Sequence, residues 1–144
     1  MDPRRADFIA QTTLAVVGIS RTRGFANSAF EELRQRGYRV FPVSHTAERL
    51  GDDVCYTRLD DLPEPVGGVV ACVPPAETEK LVADCARLGI RRIWMQYGAA
   101  SSSAVRAAEK EGLSVVHGAC ILMHAKPTGL HRFHATIWKL IGKA

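Results

Sequence analysis

The regular alternation of short apolar runs with longer amphipathic stretches constrains this chain most. Five runs of strand length recur: Leu14–Gly18, Tyr38–Val43, Gly68–Val73, Arg92–Met95 and Leu113–His117. Each is too short for a helix and nearly continuous in apolar character, the pattern of a parallel strand buried on both faces. Stretches of helical period separate them. Phe25–Arg36 carries Ala29, Phe30 and Leu33 on one side. Ala76–Leu88 carries Leu81, Val82, Cys85 and Leu88, and a third helix runs from Ser101–Ser103 to Glu111. Gly37, Gly89 and Gly112 stand where these helices should end, and Pro75 is placed to begin one.

The remaining segments are less regular. Residues 4–11 predict a short leading helix with Phe8 and Ile9 against the body. Residues 44–66 read as a long irregular connection with an extended piece at Val54–Tyr56 and a helical turn at Leu59–Leu62. A last helix is expected over His131–Ile141, with Phe133, Ile137, Trp138 and Ile141 on one face. That face either covers the sheet or buries itself against a second copy of the chain, giving a homodimer.

Successive strand–helix–strand units close by right-handed crossovers. The expected fold is therefore α/β: a single Rossmann-like three-layer domain over residues 1–144, with a mostly parallel five-stranded sheet and a C-terminal helix. A chain of 144 residues can bury a core without disulfides or metal. Its cysteines, Cys55, Cys72, Cys85 and Cys120, form no C-x-x-C pair, which argues against a zinc ribbon and against a secreted disulfide framework. His131 and His134 could share a helix face, but no H-E-x-x-H pattern or cysteine accompanies them, and they read as packing or capping residues rather than metal ligands. The leading residues MDPRRADFIAQTT lack the apolar centre of a signal peptide, and no run approaches a membrane span, so a cytoplasmic protein is expected. A formal charge of +4 without a basic run interleaved with aromatics points away from nucleic acid.

Ligands of open parallel sheets bind beyond the carboxyl ends of the strands. That rule selects residues 18–27, 42–45, 72–78, 95–98 and 117–121. In the first of these, VVGISRTRGFAN, an apolar strand breaks at Gly18 into a polar, basic loop and becomes helical at Phe25. Free N–H groups and the helix dipole favour an anion there, and Arg21 and Arg23 reinforce a phosphate reading unless both simply face water. A nicotinamide dinucleotide is disfavoured twice. The G-x-G-x-x-G spacing lacks its second glycine, since Ser20 follows Gly18 and Ile19, and the second strand ends Val43-Ser44-His45 without the expected acid. His45 and Arg49 would tolerate the 2′-phosphate of NADP, so an NAD(P)-dependent oxidoreductase or redox-sensing domain stays as an alternative. Coenzyme A suits the loop better. Its diphosphate and 3′-phosphate call for several cations and N–H groups, which Ser20, Arg21, Thr22 and Arg23 can supply with Ser44 and His45 alongside.

The order and spacing of VVGISRTRGFAN, GYRVFPVS, Cys55-Tyr56, LPEPVGGVVACVPP, GIRRIWMQYGA and GACILMHAKPTGLHRFHATIW carry a family likeness. Over about residues 13–141 the chain resembles small stand-alone CoA-binding Rossmann-fold proteins, relatives of the N-terminal domain of the succinyl-CoA synthetase alpha subunit. The resemblance implies that Gly18, Ser20, Arg21 and Asn27 meet the phosphates, that Pro42, Val43, Ser44 and His45 frame the adenosine, that Val73, Pro74 and Thr78 line the next wall, and that Gln96 and Gly98 follow the pantetheine arm. It implies binding of CoA, free or acylated, and not by itself catalysis. The chain departs from the family pattern at Ser44-His45, where Asn-Pro is usual, and at His124 and Lys126, where an aromatic residue and a glutamate are common. Cys120, at the same sheet edge, could form a mixed disulfide with the CoA thiol as redox protection, or be a buried inert thiol.

Overall fold

Each long apolar run becomes a strand of one sheet. The computed structural model describes residues 2–126. Its elements are α1 (Pro3–Ile9), β1 (Thr13–Val17), α2 (Phe25–Gln35), β2 (Arg39–Val43), β3 (Arg49–Leu50), β4 (Asp53–Val54), β5 (Gly68–Ala71), α3 (Pro75–Leu88), β6 (Arg92–Met95), α4 (Ser102–Lys110) and β7 (Ser114–Val116). The five-stranded sheet has the order β2-β1-β5-β6-β7. All its pairings are parallel, with Val17 opposite Val43 on one side and Ala71 on the other. The expected final helix, with His131 and His134, lies outside the described residues, and so does the dimer face drawn from it.

Two apolar layers flank the sheet. One face packs Ala15, Val69, Ile93 and Val115 against Leu81, Val82 and Cys85 of α3 and Ala104 and Ala108 of α4. The other packs Leu14, Val16, Val70 and Trp94 against Phe8 of α1 and Ala26, Phe30 and Leu33 of α2. This alternation is the two-sided burial that nearly continuous apolar strands require. Phe8 meets Trp94 edge to face at 5.4 Å, and a Cβ on Gly68 would stand 2.5 Å from the Phe8 ring. Gly68 is therefore what lets α1 lie against the sheet. Gly89 closes α3 in the left-handed conformation at φ 78°, and the Ser101 hydroxyl accepts from the Ala104 amide to cap α4.

Three expectations need correction. The irregular connection contains a short antiparallel hairpin, Arg49–Leu50 with Asp53–Val54, turned at Gly51 (φ 62°). Only Tyr56 of the expected extended piece reaches the main sheet, through a single parallel bridge to Val43. Leu88, expected on the inner face of α3, is 39% exposed beside a surface groove that also involves Leu62 and Pro63, because the last turn faces that groove. Cys72, within a run expected to be buried on both faces, is only half-buried and borders a cleft at the sheet's carboxyl edge. No helix among the described residues is long and apolar enough to cross a membrane.

Candidate functional site

The chain runs from β1 outward to β2, then returns to the other side of β1 as β5. The reversal between β1 and β5 is the switch point at which such sheets open a crevice. Gly18 stands there with φ 119°, and a Cβ on it would lie 2.4 Å from the Cys72 carbonyl oxygen. Only glycine lets the β1 exit pass this close to the end of β5. The Gly18 and Ile19 amides both donate to the Val43 carbonyl, at 3.1 and 3.2 Å, which ties the exit to the end of β2 as well.

The loop beyond Gly18 is held by its own residues. Asn27, in the first turn of α2, accepts from the Ser20 amide (3.0 Å) and donates to the Ser20 and Thr22 carbonyls (3.0 and 3.1 Å). The Ser20 hydroxyl also donates to the Thr22 carbonyl. The Arg21 guanidinium reaches across to the Thr46 carbonyl at 2.8 Å, joining this loop to the one after β2. Gly24 caps α2 with no side-chain hydrogen bond, and the first turn carries no acid. Among the described residues, Arg21 and Arg23 have no carboxylate partner. The positive end of α2 is thus uncompensated and has two arginines beside it.

Three adjoining hollows follow the sheet edge. The first, about 420 Å³, has an apolar floor of Val17, Val43, Leu59, Val73 and Leu81, with His45, Arg58, Glu77 and Lys80 around it. The second, about 260 Å³, lies over Gly18, Ile19 and Ser20, between Ser44–Thr46 and Cys72–Pro74. The third, about 610 Å³, extends from Gly18, Phe25 and Cys72 to Gln96, Tyr97, Gly98 and Cys120. Val17, Val43, His45, Val73 and Glu77 border both the first and the second, and Gly18, Cys72, Val73 and Pro74 border both the second and the third. The three form one groove across the switch point.

Ten of the residues singled out from the sequence line this groove: Gly18, Ser20, Val43, Ser44, His45, Val73, Pro74, Gln96, Gly98 and Cys120. Arg21, Thr22 and Arg23 lie exposed on the adjacent loop. The other three serve the scaffold. Asn27 binds the loop as described. Pro42 is buried in β2 and accepts the Tyr56 amide at 2.9 Å. Thr78 is fully buried, with its hydroxyl on the Val73 and Pro74 carbonyls. Ser44, although it borders the groove, accepts the Thr46 and Ala47 amides to shape the turn after β2. Gln96 is 3% exposed; its Oε1 accepts the Ile121 amide at 2.7 Å, while its NH2 has no partner among the described residues. Lys126 departs from the groove altogether, its ammonium resting 4.8 Å over the Tyr38 ring.

Sequence reasoning missed Thr57, Arg58 and Lys80 around the first hollow; Glu77 there, and Phe25 and Tyr97 at the third, fell within the selected ranges but were not singled out. Thr57 and Arg58 come from the irregular connection. Glu77 and Lys80 sit one turn apart on the exposed side of α3, where any charged residue is ordinary. Arg58 is held 3.4 Å from Asp60, whereas Lys80 has no carboxylate partner among the described residues. Among the described residues no group of histidines, cysteines and acids could hold a metal ion.

The profile of the CoA binding domain matches residues 12–126. The chain belongs to the CoA binding domain family. This family is related to the succinyl-CoA synthetase alpha subunit. The ADP-forming acetate–CoA ligase II of Archaeoglobus fulgidus is 29% identical over 92 residues, which are 62% of this chain but only 14% of that relative. Among solved structures, a hypothetical protein from Pyrococcus horikoshii superposes with a TM-score of 0.77 at 27% identity, covering 84% of this chain and 86% of that one. A protein of Thermus thermophilus gives 0.73 at 28% identity, with 83% and 92% covered. The dinucleotide-forming acetyl-coenzyme A synthetase 1 of Ca. Korarchaeum cryptofilum, solved with phosphate and ADP, gives 0.62 at 25% identity over 72% of this chain and 25% of that one. Regions similar to this chain thus occur both as chains of about this size and as small parts of much longer proteins.

Proposed function

We propose that the protein binds coenzyme A, free or acylated, along the groove at the β1–β5 switch point, without performing the reaction of its longer relatives. Membership of the CoA binding domain family supports the ligand, and one observation supports the placement. The uncompensated positive end of α2, with Arg21 and Arg23 beside it, opens between an apolar hollow on one side and a longer cleft on the other. A molecule with a nucleoside, a diphosphate and an extended arm matches that sequence of surfaces.

The diphosphate takes the loop Gly18–Gly24 and the free amides of the α2 first turn, with Ser20, Arg21, Thr22 and Arg23 around it. Adenosine enters the hollow floored by Val43 and Val73, beside His45. Its 3′-phosphate lies within reach of Lys80 and Arg58. The pantetheine arm follows Pro74, Gln96 and Gly98 toward Cys120, with the Gln96 NH2 free to bond an arm carbonyl. Asn27, Thr78 and Ser44 act as positioning residues that keep the loops in shape before any ligand arrives. Titration calorimetry with CoA, acetyl-CoA, NAD and NADP tests this reading. CoA should bind with a micromolar constant and NAD more weakly. No heat with CoA at millimolar concentration, or tighter binding of NADPH than of CoA, overturns it.

A further inference from the structure

Two thiols, Cys72 and Cys120, border the third hollow. Cys72 ends the β5 side of the switch point, its amide donating to the Val17 carbonyl at 2.9 Å. Cys120 follows β7, and β6 lies between β7 and β5. The segment after β7 nevertheless folds back over the end of β6. The Trp94 indole N–H donates to the Ala119 carbonyl (2.9 Å), and the Ile121 amide donates to Gln96 Oε1 (2.7 Å). Gln96 in turn bonds β5, its amide on the Ala71 carbonyl at 3.0 Å. Cys120, the residue between the two anchors, is thereby carried one strand toward Cys72, and both border the third hollow. Burial pushes the Cys72 thiol up to about 12, and a charge on nearby Cys120 adds to the rise. The remaining cysteines are elsewhere: Cys85 lies in the α3 face of the core and Cys55 in the opposite layer.

We infer that Cys72 and Cys120 are a dithiol pair that reduces disulfides of CoA bound in the cleft. The inference rests on the CoA reading above. Its substrate is a disulfide with one sulfur from CoA and the other from CoA or a second thiol. Cys120 attacks the CoA sulfur as its thiolate. The substrate S–S bond breaks, the departing thiolate takes up the proton Cys120 released, and Cys120 is joined to CoA. The Cys72 sulfur then attacks Cys120 Sγ. The Cys120–CoA bond breaks, and CoA leaves as a thiol carrying the proton from Cys72. One Cys72–Cys120 disulfide forms, one substrate disulfide becomes two thiols, and both electrons and both protons come from the two cysteines. The high pKa of Cys72 fits the second step. Few thiolates are present to attack external disulfides, but a neighbouring mixed disulfide is met at high effective concentration by an intrinsically strong nucleophile.

The test incubates the reduced chain, without oxygen, with the symmetrical disulfide of CoA, and reads intact mass, released thiol and a proteolytic map. CoA binding by the same preparation is measured in parallel. The wild type should lose two hydrogens, release two CoA thiols per chain and yield a Cys72–Cys120 linked peptide. Cys72→Ser should stop with one CoA on Cys120, and Cys120→Ser should form neither product; Cys72→Ala repeats the first variant without a new hydroxyl. Glutathione disulfide at equal concentration should react at least about tenfold more slowly, since it lacks the nucleotide that positions the sulfur. A chain that binds CoA yet stays reduced, keeps a CoA adduct in the wild type, or reacts equally fast with both disulfides refutes the dithiol role and leaves the CoA reading standing. A chain that binds no CoA refutes both.

Discussion

Replacing Gly18 with alanine tests the geometry of the switch point. Two costs are visible. The backbone at φ 119° lies where a residue with a side chain is strained, at about 1–3 kcal/mol. The new Cβ would also stand 2.4 Å from the Cys72 carbonyl oxygen and 2.9 Å from its carbon. Those atoms belong to the end of a strand held by neighbours on both sides, so relief requires the sheet edge to open, at about 1–3 kcal/mol more. The sum, about 2–6 kcal/mol, is a large part of the roughly 5–15 kcal/mol that stabilises a domain. Two other glycines separate the costs. Gly98 has φ 86° and no atom within 4 Å of its Cβ position, so Gly98→Ala should show the conformational cost alone. Gly24 has φ −165° and its nearest neighbour is Ser20 Oγ at 3.6 Å; Gly24→Ala should lose no more than about 1 kcal/mol, from the poorer helix cap. Urea unfolding followed by circular dichroism gives all three midpoints at constant slope. If Gly18→Ala loses no more than Gly98→Ala, the close approach of β1 to Cys72 is not what demands glycine.

Other outcomes follow from the same geometry. Arg21→Ala should weaken CoA by about 1.5–3 kcal/mol if its guanidinium bonds a phosphate. Its exposed bond to the Thr46 carbonyl should cost folding no more than about 1 kcal/mol. Calorimetry and urea unfolding separate the two, and an unchanged dissociation constant returns Arg21 to a loop tie. Stability should also fall in alkali. Burial raises Cys72 and Cys85 from 9.0 to about 12 in the folded chain. Between those values the folded state holds protons that the unfolded state has lost. The stability from keeping these thiols neutral is therefore complete below about pH 9 and is lost as pH rises toward about 12. Urea midpoints should drop between pH 8.5 and 10.5, and less so in Cys72→Ala; a flat profile would contradict the burial of both thiols.

The strands were legible because parallel burial leaves continuous apolar runs: Arg92–Met95 appears in the structure with the bounds read from the sequence. Pro75, Gly89 and Ser101 marked helix ends because their backbone chemistry is local. The β3–β4 hairpin left no pattern, since strands of two residues have no period, and Gly51 alone hinted at the turn. Cys72 looked like core because its strand is core; it borders the cleft at the strand's carboxyl end, which no local pattern records. For Asn27, Ser44, Thr78 and Gln96 the sequence marked polar residues at a ligand edge. It could not show whether their polar atoms face a ligand or bind backbone: Asn27, Ser44 and Thr78 turn back on carbonyls and amides of their own loops, and the partner of Gln96 comes from a segment 25 residues away. Arg58 and Lys80 meet around one hollow only through the packing of the connection on α3.

The segment Ile121–Lys126 has a consequence for how the groove is assembled. It hangs from Gln96, from Arg36 through the Leu122 carbonyl at a separation of 86 residues, and from Tyr38 through the Lys126 amide at a separation of 88. Contacts that close such long loops return nothing until the elements at both ends are in place. The Cys120 wall therefore depends on elements far apart in the sequence, while the Gly18 loop is tied within a few residues by Asn27 and is less exposed to local opening. A partly opened chain would keep its Gly18 loop in shape after Cys72 and Cys120 had separated.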